Sequence, residues 1–166
     1  MILSNTSQKP DLDRKAITTL GDSLYNRGDL FAAQFCYVMA QVGFGRYSNV
    51  NQESYLMLNT SNATRLILLG ASHHKSFKDF ATDDAIMMTE IYEYACALAN
   101  DSFSIVEFQP FKFLLATRML DYGLHLKALM YMEQISIHIR KDPSKYEHSF
   151  IEKVMSIGGV EERERH

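Results

Sequence analysis

Two short stretches, each centred on a glycine, place the strongest constraint on how this chain folds. In the first, residues 24–37, Gly28 follows one apolar helical pattern and precedes another. Glycine adopts a positive φ without a Cβ penalty and commonly ends a helix, so this stretch predicts a hairpin of two helices. Asp29 is placed to cap the second helix with its side chain, and Ala33 is small enough for the two helices to approach closely.

The second stretch, residues 119–131, repeats this arrangement further along the chain. Gly123 corresponds to Gly28 and Ala128 corresponds to Ala33, both at an offset of 95 residues. Repeated helix pairs are typical of solenoids, in which neighbouring units stack because no unit buries its apolar face alone. The sequence therefore predicts an all-α fold, an antiparallel helical solenoid of about six main helices.

The composition fits a single helical domain over residues 1–166. Of these residues, 46% are hydrophobic and 22% are charged, which is ordinary for a globular protein. The net charge is -3 and the basic residues are scattered, so we expect no nucleic-acid partner. No apolar run approaches the roughly 18 residues that cross a bilayer, so we expect only peripheral membrane association, through partners or through regions missing from this sequence.

The remaining chain shows further helical patterns separated by polar stretches. Pro110 is compatible with a helix from near Phe108 because it would lie in the first turn, where its missing N–H costs nothing. The last helix is predicted to end at the two glycines 158–159, before a charged and frayed tail over residues 160–166. Residues 48–64 are rich in Asn, Ser and Thr, and we expect a flexible loop there.

Two apolar segments, residues 66–69 and the helix after Gly28, are expected to be buried against other parts of the chain. Residues 66–69 are expected to be buried, but a strand and a helical turn look alike at this length. The helix after Gly28 carries apolar residues on two sides, and we therefore expect it to pack between neighbours; the residues of the second side are Phe35, Val38, Met39 and Val42. We also expect most of the nine methionines to lie in the core.

Reactive side chains are present, but they do not form a catalytic or metal-binding motif. Adjacent histidines such as His73 and His74 rarely point at one metal ion, and neither has a cysteine or carboxylate at ligand spacing. Cys36 and Cys96 lie inside apolar helical patterns, where burial raises the pKa of a thiol. We therefore expect no catalytic residue, no metal, no cofactor and no enzymatic activity. A cysteine or metal-dependent enzyme, the contrasting hypothesis, would need a pocket that joins one of these histidines to a thiol.

Phe44 and Tyr47 are the candidate partner-binding residues of this sequence. They lie in a short segment that glycines interrupt, between the second helix and the polar loop. Exposed aromatic side chains often anchor protein interfaces, which favours a role in binding. The same two rings would also fit against a neighbouring helix, and the sequence leaves both interpretations open.

Several segments, in order along nearly the whole chain, resemble the central conserved domain of the Sec-sixteen family. They are residues 20–24, 31–47, 66–70 with 72–73, 80–86, 89–95, 108–109, 111–113, 121–124 and 128–131. Members of that family are large scaffolds of COPII coat assembly at endoplasmic reticulum exit sites. Two departures stand out: residues 48–64 are longer than the family pattern, and Pro110 replaces an apolar residue.

The resemblance implies an ancestral coatomer element, an α-solenoid that folds back on itself, here the C-terminal part of the family's domain excised from a larger scaffold protein. It implies a non-enzymatic scaffold at exit sites, on the cytoplasmic face of the endoplasmic reticulum, with COPII coat proteins and other exit-site proteins as partners. Self-association is a further expectation, because the apolar end faces of a truncated solenoid need to be covered. The alternative function is a generic helical-repeat adaptor that binds a peptide or a partner helix.

Overall fold

The structure is a computed structural model that describes residues 10–47 and 63–164, the last seven of them by their backbone alone. The α-helices of these residues are α1 (Pro10–Asn26), α2 (Leu30–Met39), α3 (Phe77–Phe80), α4 (Asp83–Ala99), α5 (Gln109–Asp121), α6 (His125–Lys141) and α7 (His148–Glu164). The described residues contain no β-strand, and every helix except α3 has ten residues or more. The predicted all-α class with six main helices is confirmed, and the solenoid arrangement stays a prediction.

Both glycine turns adopt the left-handed conformation that the sequence predicts. The φ angle is +89° at Gly28 and +76° at Gly123. At the first turn the amide of Gly28 donates to the Tyr25 carbonyl over 2.9 Å, and the amide of Asp29 donates to the Leu24 carbonyl over 3.0 Å. The equivalent bonds at Gly123 measure 2.9 and 2.8 Å, so both helix pairs are joined by the same Schellman motif.

The side chain of Asp29 does not cap α2, which corrects the prediction made for it. Asp29 occupies the N-cap position with a ψ angle of 68°, and its side chain makes no capping hydrogen bond. An N-cap side chain usually reaches the first-turn amides from extended backbone. The tight turn at Gly28 does not leave Asp29 extended, so its carboxylate is not directed at those amides.

The chain divides into two compact units, each of which contains one glycine hairpin. Unit 1 is Met1–Thr89 and unit 2 is Glu90–His166, so α4 begins in the first and ends in the second. In unit 1 helix α1 packs on α2, and in unit 2 helix α5 packs on α6. The prediction of a single helical domain over residues 1–166 stays a prediction.

The core of unit 1 lies beneath the hairpin of α1 and α2. Ala33 and Tyr37 of α2 are buried together with Leu66, and Phe44 packs against this cluster. Leu66 also forms an isolated parallel bridge with Phe44, so the apolar run that starts at Leu66 is buried, as predicted, in neither strand nor helix. Gly21 permits the close approach of the two helices, because a Cβ built there would lie 2.6 Å from Cε1 of Tyr37.

The core of unit 2 is formed by α5, α6 and α7. Ile135 and Ile139 of α6 are buried together with Val154 of α7. Phe113 and Phe150 pack against this cluster, and their rings meet edge to face with 5.8 Å between centroids. Residues 135–139, whose apolar side chains alternate in sequence, therefore belong to a helix whose buried side faces α7.

The start of α5 agrees with its prediction, and the end of α7 does not. A short 3-10 helix, Val106–Phe108, leads into α5, and Pro110 lies in the first turn of α5 as predicted. α7 continues through Gly158 and Gly159, so the prediction that this helix ends at the two glycines is wrong. A glycine inside a helix costs only about 1 kcal/mol relative to alanine, and the glutamate and arginine residues that follow are good helix formers.

Only part of the predicted loop and tail lies within the described residues. Of residues 48–64, the structure describes Ala63 and Thr64, and the flexible loop predicted over the others is outside the described ranges. Residues 165–166 of the predicted tail are outside them as well. The flexibility expected for both segments therefore stays a prediction.

Candidate partner-binding surface

The reactive side chains are held in packing roles. Cys36 is buried in unit 1, and Cys96 in unit 2 is hydrogen bonded to Tyr92. The pKa of Tyr92 is raised to about 12, mainly by burial and to a smaller extent by this hydrogen bond. His73 is buried, and burial, followed by the charge of neighbouring His74, lowers its pKa to about 4. In the part of the chain that the structure describes, no three His, Cys, Asp or Glu side chains gather as a metal site would require.

Unit 1 contains a pocket of about 440 Å³ beside the first glycine turn. Its lining residues are Tyr25, Asn26, Gly28, Leu30, Ser72, His74 and Lys75. Neither cysteine lines it, so this pocket does not join a histidine to a thiol, which is the arrangement that a cysteine enzyme needs. Its lining combines the apolar surface of Leu30 and the Tyr25 ring with several polar side chains.

Gln34 of α2 holds the turn that follows the buried apolar run. Its Nε2 donates to the carbonyl oxygens of Leu68 over 3.0 Å and Ala71 over 3.1 Å. Its Oε1 accepts a hydrogen bond of 2.7 Å from the amide of Gly70, which has a φ angle of +78°. One buried side chain thus satisfies three backbone groups of a turn that is 34 to 37 residues away in sequence.

Asp22 is the polar centre of unit 1. The hydroxyl of Tyr37 donates to Oδ1 of Asp22 over 2.8 Å. The guanidinium of Arg65 donates to both carboxylate oxygens of Asp22, over 2.8 and 3.0 Å, which is the bidentate geometry that arginine favours. Burial, followed by this carboxylate, raises the pKa of Tyr37. These bonds connect α1, α2 and the segment that precedes the buried apolar run.

Glu93 is the corresponding centre of unit 2. Its Oε1 accepts hydrogen bonds from the amide of Ile105 over 2.9 Å and from Nε2 of Gln109 over 2.8 Å. Its Oε2 forms an ion pair with Nζ of Lys112 at 2.5 Å. Burial lowers the pKa of nearby His138, and the charge of Glu93 opposes that shift. The carboxylate therefore connects α4, the segment before α5, and α5 itself.

Phe44 and Tyr47 are half-buried and pack on other apolar side chains of unit 1. The ring of Tyr47 stacks on Phe80 with 5.3 Å between centroids and meets the edge of Phe77 at 5.2 Å. Phe44 packs on the cluster that contains Leu66. Both rings thus have a packing role, and their role in partner binding stays a prediction.

A stripe of exposed apolar side chains runs along α2. Phe31 and Phe35 expose 64% and 57% of their surface, and Met39 follows at the next turn. Met88 adjoins the stripe at Gly70, where an added Cβ would lie 3.0 Å from Met88 Sδ and 3.9 Å from Phe31 Cε1. On the second side of α2, Phe35 and Met39 are exposed, whereas Val38 and Val42 pack against the buried cluster, so the predicted packing of this side between neighbours holds only in part.

The prediction that most methionines lie in the core is wrong, because five of the nine are exposed: Met39, Met87, Met88, Met130 and Met155. Met132 of α6 is the contrasting case and is buried. Flexible thioethers on an outer face are common at surfaces that adapt to a partner. The exposed methionines therefore add to the case for binding surfaces on both units.

Unit 2 exposes apolar side chains on α4 and α6. Ile91, Tyr94 and Leu98 follow one another along one face of α4 and expose 69%, 65% and 70% of their surface. On α6, Leu126 and Met130 are exposed one turn apart. Large exposed apolar patches often mark interaction sites. Periodicity identifies such faces in a sequence but does not show whether another element covers them, which is why they were missed.

Comparisons with known proteins find similarity along nearly the whole chain. A family model described as the Sec16 Sec23-binding domain matches residues 1–158. Protein transport protein Sec16A of Homo sapiens is 38% identical over 157 residues, which are 95% of this chain and 6% of that relative. Protein transport protein Sec16B of Oryctolagus cuniculus is 44% identical over 135 residues, 81% of this chain and 12% of the relative.

The similarity extends to plants. A protein transport protein SEC16B homolog of Arabidopsis thaliana is 32% identical over 131 residues, 78% of this chain and 9% of the relative. No solved structure matches the chain with statistical significance. The chain spans between 6% and 12% of the length of these three relatives. Because the family model covers nearly the whole sequence, the chain belongs to the Sec16 family, the Sec-sixteen family that its motifs resemble.

Proposed function

We propose that this chain is a non-enzymatic scaffold module that binds Sec23 and helps to organise COPII coat assembly at endoplasmic reticulum exit sites. The match of residues 1–158 to a Sec23-binding domain carries this proposal. The relatives described above are named as protein transport proteins, and none of their names is that of an enzyme. The buried or packed state of His73, His74 and both cysteines is consistent with a scaffold rather than a catalyst.

The proposed mechanism is the presentation of preformed helix faces to coat proteins. In unit 1 the bonds to Asp22 fix α1 against α2, while the stripe that contains Phe31 and Phe35 points away from the core. In unit 2 the bonds to Glu93 fix α4, while Ile91 and Tyr94 remain exposed. A rigid apolar face loses little conformational entropy on binding, which favours association.

The proposed location is the cytoplasmic face of the endoplasmic reticulum, at exit sites, with peripheral association through partners or through regions outside this sequence. It is supported by the family and by the names of the relatives, which refer to protein transport. Along the described stretches, no helix combines the length and the apolar character needed to span a bilayer.

Binding of the purified chain to purified Sec23, followed by calorimetry, tests the proposed function. We expect saturable binding. If Sec23 contacts the stripe on α2, Phe31→Ser with Phe35→Ser should weaken the binding. If Sec23 contacts the exposed face of α4, Tyr94→Ser with Leu98→Ser should weaken it instead. All four side chains are exposed, so these changes should leave the fold intact. Leu12→Ser, an exposed apolar residue of α1 outside both faces, is the matched control. An intact chain that fails to bind Sec23 would contradict the proposal.

Self-association and a contact through Phe44 and Tyr47 are further parts of the proposal. Exposed apolar side chains on both units support self-association, and light scattering should detect dimers at high concentration. A strict monomer would contradict it. Tyr47→Ser should weaken partner binding beyond any loss of stability if this ring touches a partner. If binding changes only in proportion to the folded fraction, Tyr47 has a packing role alone.

The generic adaptor remains the alternative function, and the pocket beside Gly28 is the observation that favours it. Such an adaptor would hold a peptide from many sources, whereas a coat scaffold should recover COPII and exit-site proteins selectively. Affinity purification with the chain as bait distinguishes them: recovery of coat and exit-site proteins supports the scaffold, and a broad set of unrelated partners supports the adaptor.

A further inference from the structure

We propose that the pocket beside the first glycine turn binds the carboxylate side chain of an acidic peptide segment. This site is separate from the exposed helix faces assigned to coat proteins, and it does not depend on that assignment. The pocket volume of about 440 Å³ lies in the range of small-ligand sites. A glutamate or aspartate side chain together with its flanking backbone would fit such a volume.

The shape of the pocket depends on the turn that joins α1 to α2. Gly28 has a φ angle of +89°, and no heavy atom lies within 4 Å of the position that a Cβ would occupy there. The turn therefore leaves an open approach on this side. Leu30 and the ring of Tyr25 supply apolar surface among the lining residues, against which the methylene stem of an acidic side chain can pack.

The polar lining is held in place by contacts within unit 1. The hydroxyls of Tyr25 and Ser72 are hydrogen bonded at 2.6 Å, and Ser72 Oγ accepts a longer bond of 3.4 Å from the amide of His74. The ring of His74 meets the ring of Tyr25 edge to face, with 5.8 Å between centroids. Groups that are already fixed lose less freedom when a ligand binds, which favours affinity.

The charge of the lining favours an anionic ligand. Lys75 contributes a positive charge, Asn26 and Ser72 contribute neutral groups that can donate hydrogen bonds, and none of the lining residues is an Asp or Glu. Lysine meets an anion as a point charge, without the two-pronged geometry of arginine, and no arginine lines this pocket, so we expect it to hold a single carboxylate through one cation and neutral donors. Asp29 follows Gly28 in sequence, so the attraction is modest and the binding should be weak.

The test uses a fluorescein-labelled Glu-Glu-Leu-Glu-Glu peptide and its neutral counterpart Gln-Gln-Leu-Gln-Gln, each titrated with the full chain while anisotropy is measured. We expect saturable binding of the acidic peptide and binding of the neutral peptide that is at least about tenfold weaker, or 1.4 kcal/mol. Lys75→Glu should weaken acidic-peptide binding by at least about tenfold. Lys78→Glu is the matched control, because Lys78 is exposed but does not line the pocket.

Three results would overturn the proposal. Equal affinity for the two peptides would show that the carboxylates are not recognised. Equal weakening by Lys75→Glu and Lys78→Glu would show that the attraction is general and not centred on the pocket. Absence of acidic-peptide binding in the intact chain would exclude the site. Lys75→Glu should leave Sec23 binding unchanged, so the outcome for this pocket is distinguishable from the outcome for the proposed function.

Discussion

Asp22 in unit 1 and Glu93 in unit 2 have the same structural role but differ in their exposure to water. The side chains of the first ion pair, Asp22 and Arg65, are 20% and 11% exposed, while those of Glu93 and Lys112 are 5% and 7% exposed. Arginine binds its carboxylate in a fork, whereas lysine makes a single point contact. Removal of one member of the ion pair therefore leaves the other charge almost fully shielded from water in unit 2 and partly hydrated in unit 1.

The largest expected effect is the destabilisation of unit 2 by Lys112→Met. This change keeps the apolar stem but removes the cation, so Glu93 is left charged among buried groups. We expect a loss of about 3 to 5 kcal/mol in the free energy of unfolding of unit 2. Native-state hydrogen exchange should show the loss in the amides of α5 and α6, with a smaller effect on those of α2.

The double variant Glu93→Leu with Lys112→Met is the control for that experiment. It removes both charges together, so stability should recover partly or fully relative to the single variant. A single variant that costs less than about 1 kcal/mol would show that water reaches Glu93, and the contrast between the two units would fail.

The next effect in size is the dependence of unit 1 on pH through His73. Its pKa is about 4 in the folded chain, compared with an ordinary value of 6.5, so the unfolded chain takes up the proton first as pH falls. The stability that neutral, buried His73 contributes is fully present above pH 6.5 and is lost as the pH falls towards 4. This loss lowers the free energy of unfolding by up to about 3 kcal/mol. Melting temperatures measured across this range should fall less steeply for His73→Gln; parallel curves for the two proteins would contradict the assignment.

A smaller loss is expected when the centre of unit 1 is neutralised by Asp22→Asn. The amide still accepts the bond from Tyr37 but no longer neutralises Arg65, which is partly exposed. We expect a cost of about 2 kcal/mol, measured by urea unfolding. Tyr37→Phe, which removes the hydroxyl and keeps the ion pair, is the control. If Asp22→Asn costs as much as Lys112→Met, exposure does not explain the difference between the two centres.

The smallest effect is predicted for the two turns, which are alike in both units. Gly28→Ala and Gly123→Ala each force an L-residue into positive φ, and neither added Cβ has a heavy atom within 4 Å. The strain alone should therefore cost about 1 to 2 kcal/mol in each case. Thermal unfolding of both variants checks the expectation that the losses are similar, and an unchanged melting temperature for either would show that its turn relaxes.

Local chemistry made the turns and the main helices predictable. The positive φ at Gly28 and Gly123 and the place of Pro110 follow from properties of single residues. The cap expected from Asp29 failed because its geometry depends on the turn before it. The end expected at the two glycines of α7 failed because neighbouring residues outweigh a small propensity cost.

The polar centres and the exposed faces were not predictable from local patterns. Asp22 meets Arg65 across 43 residues, and only the folded chain brings the two side chains together. For the exposed stripe that contains Phe31 and Phe35, the sequence showed an apolar side of α2 but not what lies against it. Phe44 and Tyr47 were identified as aromatic residues in a glycine-flanked segment, and their packing partners lie elsewhere in the chain.

The side-chain amide of Gln34 takes the place of backbone hydrogen-bonding groups. It supplies two donors and one acceptor to the turn at Gly70, as a neighbouring segment of main chain would. Glutamate lacks the donors, lysine lacks the acceptor, and asparagine is shorter by one methylene. Position 34 should therefore tolerate almost no other amino acid in a saturation library selected for folding. Its substitution profile would be as narrow as that of a catalytic residue, although the selection at this position is for backbone geometry alone.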